Sequence, residues 1–114
     1  MKRILLVLLG VGFLAYLLGC STSATPPQFR VHNLRLTKAN LQIQTSGGNT
    51  VNMNGIAHDS ITAYQGASQG QIMATATIQN ETVSPSTSFN AANGGSYTIV
   101  VDTTTPPTLK VVSP

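Results

Sequence analysis

The sequence has no tryptophan, a single cysteine, and charged residues that make up only 8% of the chain. One cysteine cannot form an intramolecular disulfide, so stability must come from packing or from a partner. The acidic side chains are three in number, Asp59, Glu81 and Asp102, and they are scattered along the chain. A pair of catalytic carboxylates of the glycosidase type is therefore not indicated.

Patterns for other catalysis or for metal binding are also weak. His58, Asp59 and Ser60 are the residue types of a nucleophilic triad, but neighbours on an extended chain point to opposite sides. We interpret the triplet as a polar turn in which Asp59 accepts hydrogen bonds from local backbone N–H groups. The two histidines, His32 and His58, and the carboxylates lack the spacing of metal ligands. We expect no enzymatic activity, no cofactor and no metal ion.

The basic residues form no block. Beyond the first three residues, the cations are Arg30, Arg35, Lys38 and Lys110, so nucleic-acid binding has no electrostatic support. The first three of these come close together in the sequence, and two interpretations are open. One is a cationic stripe that faces lipid headgroups or an acidic partner. The other, which we favour, is solubilising charge on an edge strand, where it blocks edge-to-edge pairing.

The one long hydrophobic run lies at the N-terminus. Lys2 and Arg3 precede an apolar run over residues 4–18. This run has the length of the hydrophobic part of a secretory signal peptide and is short for a membrane span, which needs about 20 residues. It ends on Leu17-Leu18-Gly19-Cys20, and Cys20 is the only cysteine. These four residues resemble the lipobox of bacterial lipoproteins.

The lipobox resemblance implies a signal peptide over residues 1–19, with Leu17, Leu18 and Gly19 as the signal-peptidase recognition residues. It implies that Cys20 is diacylated, becomes the mature N-terminus and attaches the protein to a membrane of the cell envelope. Ser21 follows, and a residue other than Asp there resembles the pattern sorted to the outer membrane in Gram-negative bacteria. The alternative is a single uncleaved membrane anchor.

Two further parts follow the predicted signal peptide. Residues 20–28 are small, polar and proline-containing, which predicts a flexible tether. Over residues 29–114 apolar residues recur with a period of two, which predicts strands rather than helices. The clearest alternating sets are Phe29 and Val31; Leu41 and Ile43; Val51 and Met53; Ile72, Ala74, Ala76 and Ile78; and Tyr97, Ile99 and Val101. Leu109, Val111 and Val112 are expected to form a terminal strand.

Turn signals divide these strands at short intervals. Ser46-Gly47-Gly48-Asn49 and Asn93-Gly94-Gly95 are typical of hairpin turns, and Asn54-Gly55 predicts a turn or bulge. A change of phase near Asn33 predicts a bulge before Leu34 and Leu36. About seven short strands with such turns predict an all-β fold, a small immunoglobulin-like antiparallel β-sandwich. Tyr64 and Tyr97 are expected in its core, with their hydroxyls bonded to backbone.

Several segments resemble a known domain family. They are Arg30-Val31-His32-Asn33, the strand pair around residues 41–53, Tyr64 before a glycine-containing turn, and Gly94-Gly95-Ser96-Tyr97-Thr98-Ile99-Val100-Val101. Together they resemble the uncharacterised four-three-nine-seven domain family of bacterial surface and secreted proteins. The resemblance spans roughly residues 29–101 and implies an immunoglobulin-like sandwich. It brings no catalytic or ligand-binding residues.

The sequence therefore predicts a membrane-anchored envelope lipoprotein. We expect its β-sandwich to act as a structural or protein-interaction module that contacts another envelope protein, with sheet-edge addition as an available binding mode. The alternative is a carbohydrate- or small-ligand-binding module, because faces rich in Thr, Asn and Gln suit sugar hydroxyls.

Overall fold

The computed structural model describes residues 25–113, which form eight β-strands and no helix. The strands are β1 Gln28–Asn33, β2 Ala39–Gln44, β3 Thr50–Ile56, β4 Gln65–Gly66, β5 Gly70–Ile78, β6 Ser86–Ala91, β7 Ser96–Val101 and β8 Leu109–Val112. Within the described range, no helix is long and apolar enough to cross a membrane. The predicted signal peptide, including Leu17, Leu18 and Gly19, and the predicted lipidation site Cys20 lie outside the described residues.

The strands form two four-stranded sheets. The first sheet has the order β4-β1-β7-β8 and the second has the order β3-β2-β5-β6. The prediction of a small all-β sandwich is confirmed. Strand pairs are antiparallel except β1 and β7, which run parallel with Phe29 opposite Tyr97. The two-residue strand β4 pairs with the start of β1.

The core lies between the sheets and follows the predicted alternation. In β2 and β5 every second residue is buried, and the residues between them are mostly exposed. This period of two is what one buried face of an antiparallel sheet requires. The buried apolar side chains include Phe29, Val31, Leu41, Ile43, Ile72, Ala74, Ala76, Ile78, Ile99 and Val101.

Asn33 ends β1, and the predicted bulge there is wrong. Its side chain is fully buried although it is polar. Nδ2 donates to the carbonyls of Thr37 and Ile56, and Oδ1 accepts from Arg35 N at 2.9 Å. The chain therefore leaves the sheet in a turn held by Asn33, and Leu36 is 83% exposed instead of continuing a strand.

The predicted bulge at Asn54-Gly55 is confirmed. Ala39 pairs with Ile56 whereas Leu41 pairs with Met53, so β3 has one more residue than β2 between these pairs. Gly55 adopts a φ of 67°, a left-handed conformation that glycine accepts without a steric penalty. Its N–H donates to Asn40 Oδ1 at 2.7 Å, which closes the bulge.

The interpretation of Arg30, Arg35 and Lys38 as charge on an edge strand is wrong, because β1, the strand that contains Arg30, is not an edge strand. It lies between β4 and β7. Beyond the two residues of β4, the same side of β1 is covered by residues 60–62. Thr62 N donates to Val31 O at 2.9 Å, and Asn33 N donates to Ser60 O at 3.1 Å. The edge of β1 is thus occupied by the chain itself.

The described end of the predicted tether contacts the sandwich. Pro27 is buried, and Gln28 already belongs to β1. Gly94 N donates to Thr25 O at 2.7 Å, and Ala67 N donates to Pro27 O at 3.0 Å. These bonds attach residues 25–27 to loops at one end of the domain.

Candidate interaction surface

The polar triplet at residues 58–60 is a turn, as predicted, but its contacts differ from the expected ones. Asp59 adopts a φ of 59°. Its Oδ1 lies 3.0 Å from His32 Nε2, so the carboxylate contacts an imidazole and not the local N–H groups. His58 Nδ1 lies 2.8 Å from Arg35 O. His58 and Asp59 therefore contact different residues, and the triplet does not form a Ser-His-Asp chain of contacts.

A nucleophile-elbow pattern that sequence reasoning missed is present at Gly66-Ala67-Ser68-Gln69-Gly70. In hydrolases this pattern needs a strand, a sharp turn and a helix, so that the serine is held above the sheet. Here Ser68 lies between the short strand β4 and strand β5, and no helix follows it in the described part of the chain. The backbone carbonyl of Ser68 accepts a hydrogen bond from the Ser46 hydroxyl of the β2–β3 turn, at 3.4 Å. The segment has the spacing of an elbow without its architecture.

The residues considered as metal ligands are also apart. Among residues 25–113, no group of three His, Cys, Asp or Glu side chains could hold a metal ion. Asp102 lies 3.6 Å from the Lys110 ammonium, and Glu81 lies 2.8 Å from the Arg35 guanidinium. These carboxylates are paired with cations.

The other interpretation of the cations, a single stripe of positive charge, does not hold either. The Arg30 guanidinium lies 4.7 Å from the centre of the Tyr64 ring, and its Nε donates to Thr98 Oγ1. The Arg35 guanidinium makes a different contact, an ion pair with Glu81. Lys38 is exposed. Two of the three cations are thus used within the domain.

The two tyrosines have different environments. Tyr97 packs against the core, and its hydroxyl accepts from Ala92 N at 2.9 Å, as predicted. Tyr64 is 38% exposed, so its placement in the core is wrong. Its ring is covered on one side by Arg30.

The outer side of the second sheet carries no charged side chain. Its strands alternate, so the residues that face away from the core follow directly from the register of β3, β2, β5 and β6. All but Met73 are hydroxyl or amide side chains, and nearly all are exposed. We call this surface the neutral face; it consists of Thr50, Asn52, Asn54, Asn40, Gln42, Gln44, Gln71, Met73, Thr75, Thr77, Ser86, Ser88 and Asn90.

One part of the neutral face is concave. A depression of about 210 Å³ lies over the middle of β3, β2 and β5. Across it, Asn52 pairs with Gln42 and Gln42 pairs with Thr75, so one row of side chains offers amide and hydroxyl groups side by side. Amides and hydroxyls both donate and accept hydrogen bonds. The depression therefore suits a neutral ligand that presents several hydroxyl groups.

The second sheet also has two edges, β3 and β6. Ala76 N donates to Pro85 O at 2.9 Å, which extends the β5–β6 ladder by one pair. In an antiparallel pair, residues bonded to the neighbouring strand alternate with residues whose N–H and C=O groups point away. Counting from Pro85, the backbone groups that point away from β5 belong to Ser86, Ser88 and Asn90. We call these backbone groups the β6 edge.

The β6 edge lacks the usual protection of exposed strands. Natural edges are blocked by charges, prolines, bulges or short length. β6 has six residues in unbroken register with β5, contains no charge, and has its only nearby proline, Pro85, before the strand. By contrast, β3 contains the bulge at Gly55, β8 carries Lys110, and β4 has two residues.

Comparisons with known proteins identify the fold only. No family model and no curated protein match this chain. Among solved structures, the domain is similar to the NMR structure of a protein from Eubacterium rectale, with 19% sequence identity and a TM-score of 0.51. The match covers 82% of this chain and 91% of that chain. At this identity the likeness shows a shared β-sandwich and no function.

Proposed function

We propose that the protein is a lipid-anchored lipoprotein of the bacterial cell envelope whose β-sandwich is a structural or protein-interaction module. The lipobox-like residues Leu17 to Cys20 support the anchor, and Ser21 supports the outer membrane as its location in a Gram-negative source. The resemblance to the four-three-nine-seven family of surface and secreted proteins is consistent with this location. The sandwich would sit close to the bilayer, with residues 20–24 between the lipid and the first contacts at Thr25.

The observation that carries the interaction role is the β6 edge. An exposed edge strand offers a row of unpaired N–H and C=O groups to which a second strand can add. Such addition needs no catalytic group and no charged pocket, and it fits a domain whose charged residues are few and mostly paired. Ser88 lies at the centre of this edge.

The lipid anchor is tested by metabolic labelling with a fatty acid. The wild-type chain should incorporate the label at Cys20, and Cys20→Ser should not. Fractionation should place the labelled chain with membranes. Equal labelling of both chains, or recovery of the full-length precursor from the cytosol, would show that the anchor is wrong.

The interaction role is tested by a photo-crosslinking residue placed at Ser88 in cells. Ala57 is a matched control, because it is also exposed but lies after β3, outside the sheet edges. We expect a reproducible protein adduct at position 88 and none at position 57. The same adducts at both positions, or none at either, would remove the basis for an interaction module.

A second candidate function is carbohydrate binding on the neutral face, and the depression beside Gln42 is the observation that favours it. Sugar sites of this type usually add a stacked aromatic ring, and among the neutral-face residues there is none. Retention of the protein on insoluble neutral polysaccharides would support this function, if Gln42→Glu and Thr75→Glu reduced retention at least tenfold. Equal retention of wild type and both variants would contradict it.

A further inference from the structure

The β6 edge has a property that bears on the identity of its partner. When two identical short strands pair about a two-fold axis, a charge on one strand comes close to the same charge on the other, and like charges at close range are unfavourable. β6 contains no charged residue, whereas β8, one of the two edge strands of the first sheet, contains Lys110. β6 is therefore the long, regular edge of this domain that can pair with a copy of itself without repulsion.

The free backbone groups also match themselves. They belong to alternate residues, Ser86, Ser88 and Asn90, so Ser88 lies at the midpoint. If two β6 strands run antiparallel about an axis through Ser88, then Ser86 of one copy lies opposite Asn90 of the other. Ser88 lies opposite Ser88. Every outward N–H and C=O group of one edge then meets a complementary group on the other.

We propose that β6 pairs with β6 of a second copy of this chain, antiparallel and two-fold symmetric about Ser88. The pairing joins two second sheets into one continuous eight-stranded sheet, and the two neutral faces become one larger surface on the same side. Such an interface is isologous and closes after two copies, so it does not propagate into fibres.

The size of this interface sets the condition under which it forms. A pair of six-residue edges buries less than the roughly 1,200 Å² that stable complexes usually bury. In dilute solution the pairing is therefore weak. This step rests on the proposed lipid anchor: attachment to one membrane confines both copies to a thin layer, which raises their effective concentration without any new contact.

The test introduces one cysteine at a time into the full-length chain, expressed in cells and cross-linked in isolated membranes with a mild oxidant. Opposed residues of this pairing have Cα atoms about 5.5 Å apart, which a disulfide can bridge. Ser88→Cys should give a disulfide-linked dimer that a reductant converts back to monomer. Ser86→Cys and Asn90→Cys should each remain monomeric, because each lies about 13 Å from its own counterpart. When both are expressed together, they should cross-link to each other.

Two controls make the result specific. The wild-type chain reports any disulfide formed through Cys20 itself. Asn52→Cys is the matched variant on β3, the other edge of the second sheet. Thr45 N donates to Asn49 O, so Asn49 is bonded to the β2 side. Counting in steps of two from the next residue, Thr50, makes Asn52 the central residue of β3 whose backbone groups point away from β2. Asn52→Cys should stay monomeric.

The outcomes separate this proposal from the proposed function. A dimer with Asn52→Cys equal to that with Ser88→Cys, an adduct of Ser88→Cys to a different protein, or no cross-link at all would overturn the β6 pairing. Fatty-acid labelling of the same cells reports on the anchor independently. A chain that is labelled but not cross-linked through Ser88→Cys would therefore contradict the pairing alone.

Discussion

Arg35 and Glu81 form an ion pair in which Nη2 and Oε2 are 2.8 Å apart, and it links the segment after β1 to the turn after β5. Arg35 does more than pair with a carboxylate, because its Nη1 also donates to the carbonyls of Asp102 and Thr104 at 2.9 and 3.0 Å. One guanidinium thus connects three segments at one end of the sandwich. The Arg35 side chain is 13% exposed and that of Glu81 is 33% exposed.

These contacts predict unequal effects of removing the two partners. Arg35→Ala should lower the free energy of unfolding by about 2–3 kcal/mol, because it leaves two carbonyls and a carboxylate without their donor. Glu81→Gln should cost under about 1 kcal/mol, as partly exposed ion pairs usually do. Urea denaturation of the variants measures both values. A larger loss for Glu81→Gln than for Arg35→Ala would contradict this account.

The buried amide of Asn33 gives a second prediction. Asn33→Ala should lower the free energy of unfolding by about 2–4 kcal/mol, because two carbonyls and one N–H lose their partner inside the domain. Asn52→Ala is the matched control, since Asn52 is exposed on the neutral face, and it should change stability by less than about 0.5 kcal/mol. Urea midpoints of the two variants should differ clearly, and similar midpoints would show that the Asn33 bonds contribute little.

Asn33 also shows where sequence reasoning stops. β2 and β5 are predictable, because apolar and polar residues alternate within each strand and the apolar ones are buried. Asn33 lies in phase with Phe29 and Val31 on the buried side of β1, but a polar residue there breaks the apolar pattern. Its burial depends on carbonyls supplied by distant segments such as Ile56. The sequence pattern alone therefore favours a bulge at this position.

The candidate surface could be predicted only in part. The neutral face is visible in the sequence as the polar residues between the inward ones, for example Gln42 between Leu41 and Ile43. The identity of the free edges is not visible, because it depends on strand order. The parallel pairing of β1 with β7 joins residues nearly seventy positions apart, as Arg30 and Thr98 do. No short-range signal specifies such a contact.

Gly95 gives a third prediction, through its contact with Tyr97. A Cβ at position 95 would lie 2.6 Å from the Tyr97 hydroxyl oxygen, and the ring must move to admit it. Movement would weaken the bond from Ala92 N and the packing of Tyr97 on Phe89. Gly95→Ala should therefore cost about 1–3 kcal/mol of unfolding free energy.

The matched control for this substitution is Gly66→Ala, because a Cβ at position 66 would meet nothing within 4 Å. Thermal unfolding of the two variants gives the comparison. We expect a clearly lower melting temperature for Gly95→Ala and a change of a degree or two for Gly66→Ala. Equal melting temperatures would show that the Tyr97 ring can move aside without lowering the stability of the domain.

The N-terminal limit of the folded domain gives the last prediction. The sequence pattern predicts a domain that begins at residue 29, yet Thr25 O and Pro27 O both accept backbone hydrogen bonds from loops of the sandwich. A chain that starts at residue 29 also loses the N–H of Gln28, which donates to Gly95 O at 3.1 Å. Compared with a chain that starts at residue 25, it should lose about 2–4 kcal/mol of unfolding free energy.

Two substitutions separate the effect of Pro27 from that of simply shortening the chain. Pro27 is buried and Pro26 is exposed, although they are adjacent and chemically identical. Pro27→Ala should lower the urea midpoint, because it removes buried apolar surface, whereas Pro26→Ala should leave it nearly unchanged. If the two variants and the chain starting at residue 29 all unfold like the chain starting at residue 25, then these residues belong to the tether. In that case their contacts contribute nothing measurable to the stability of the sandwich.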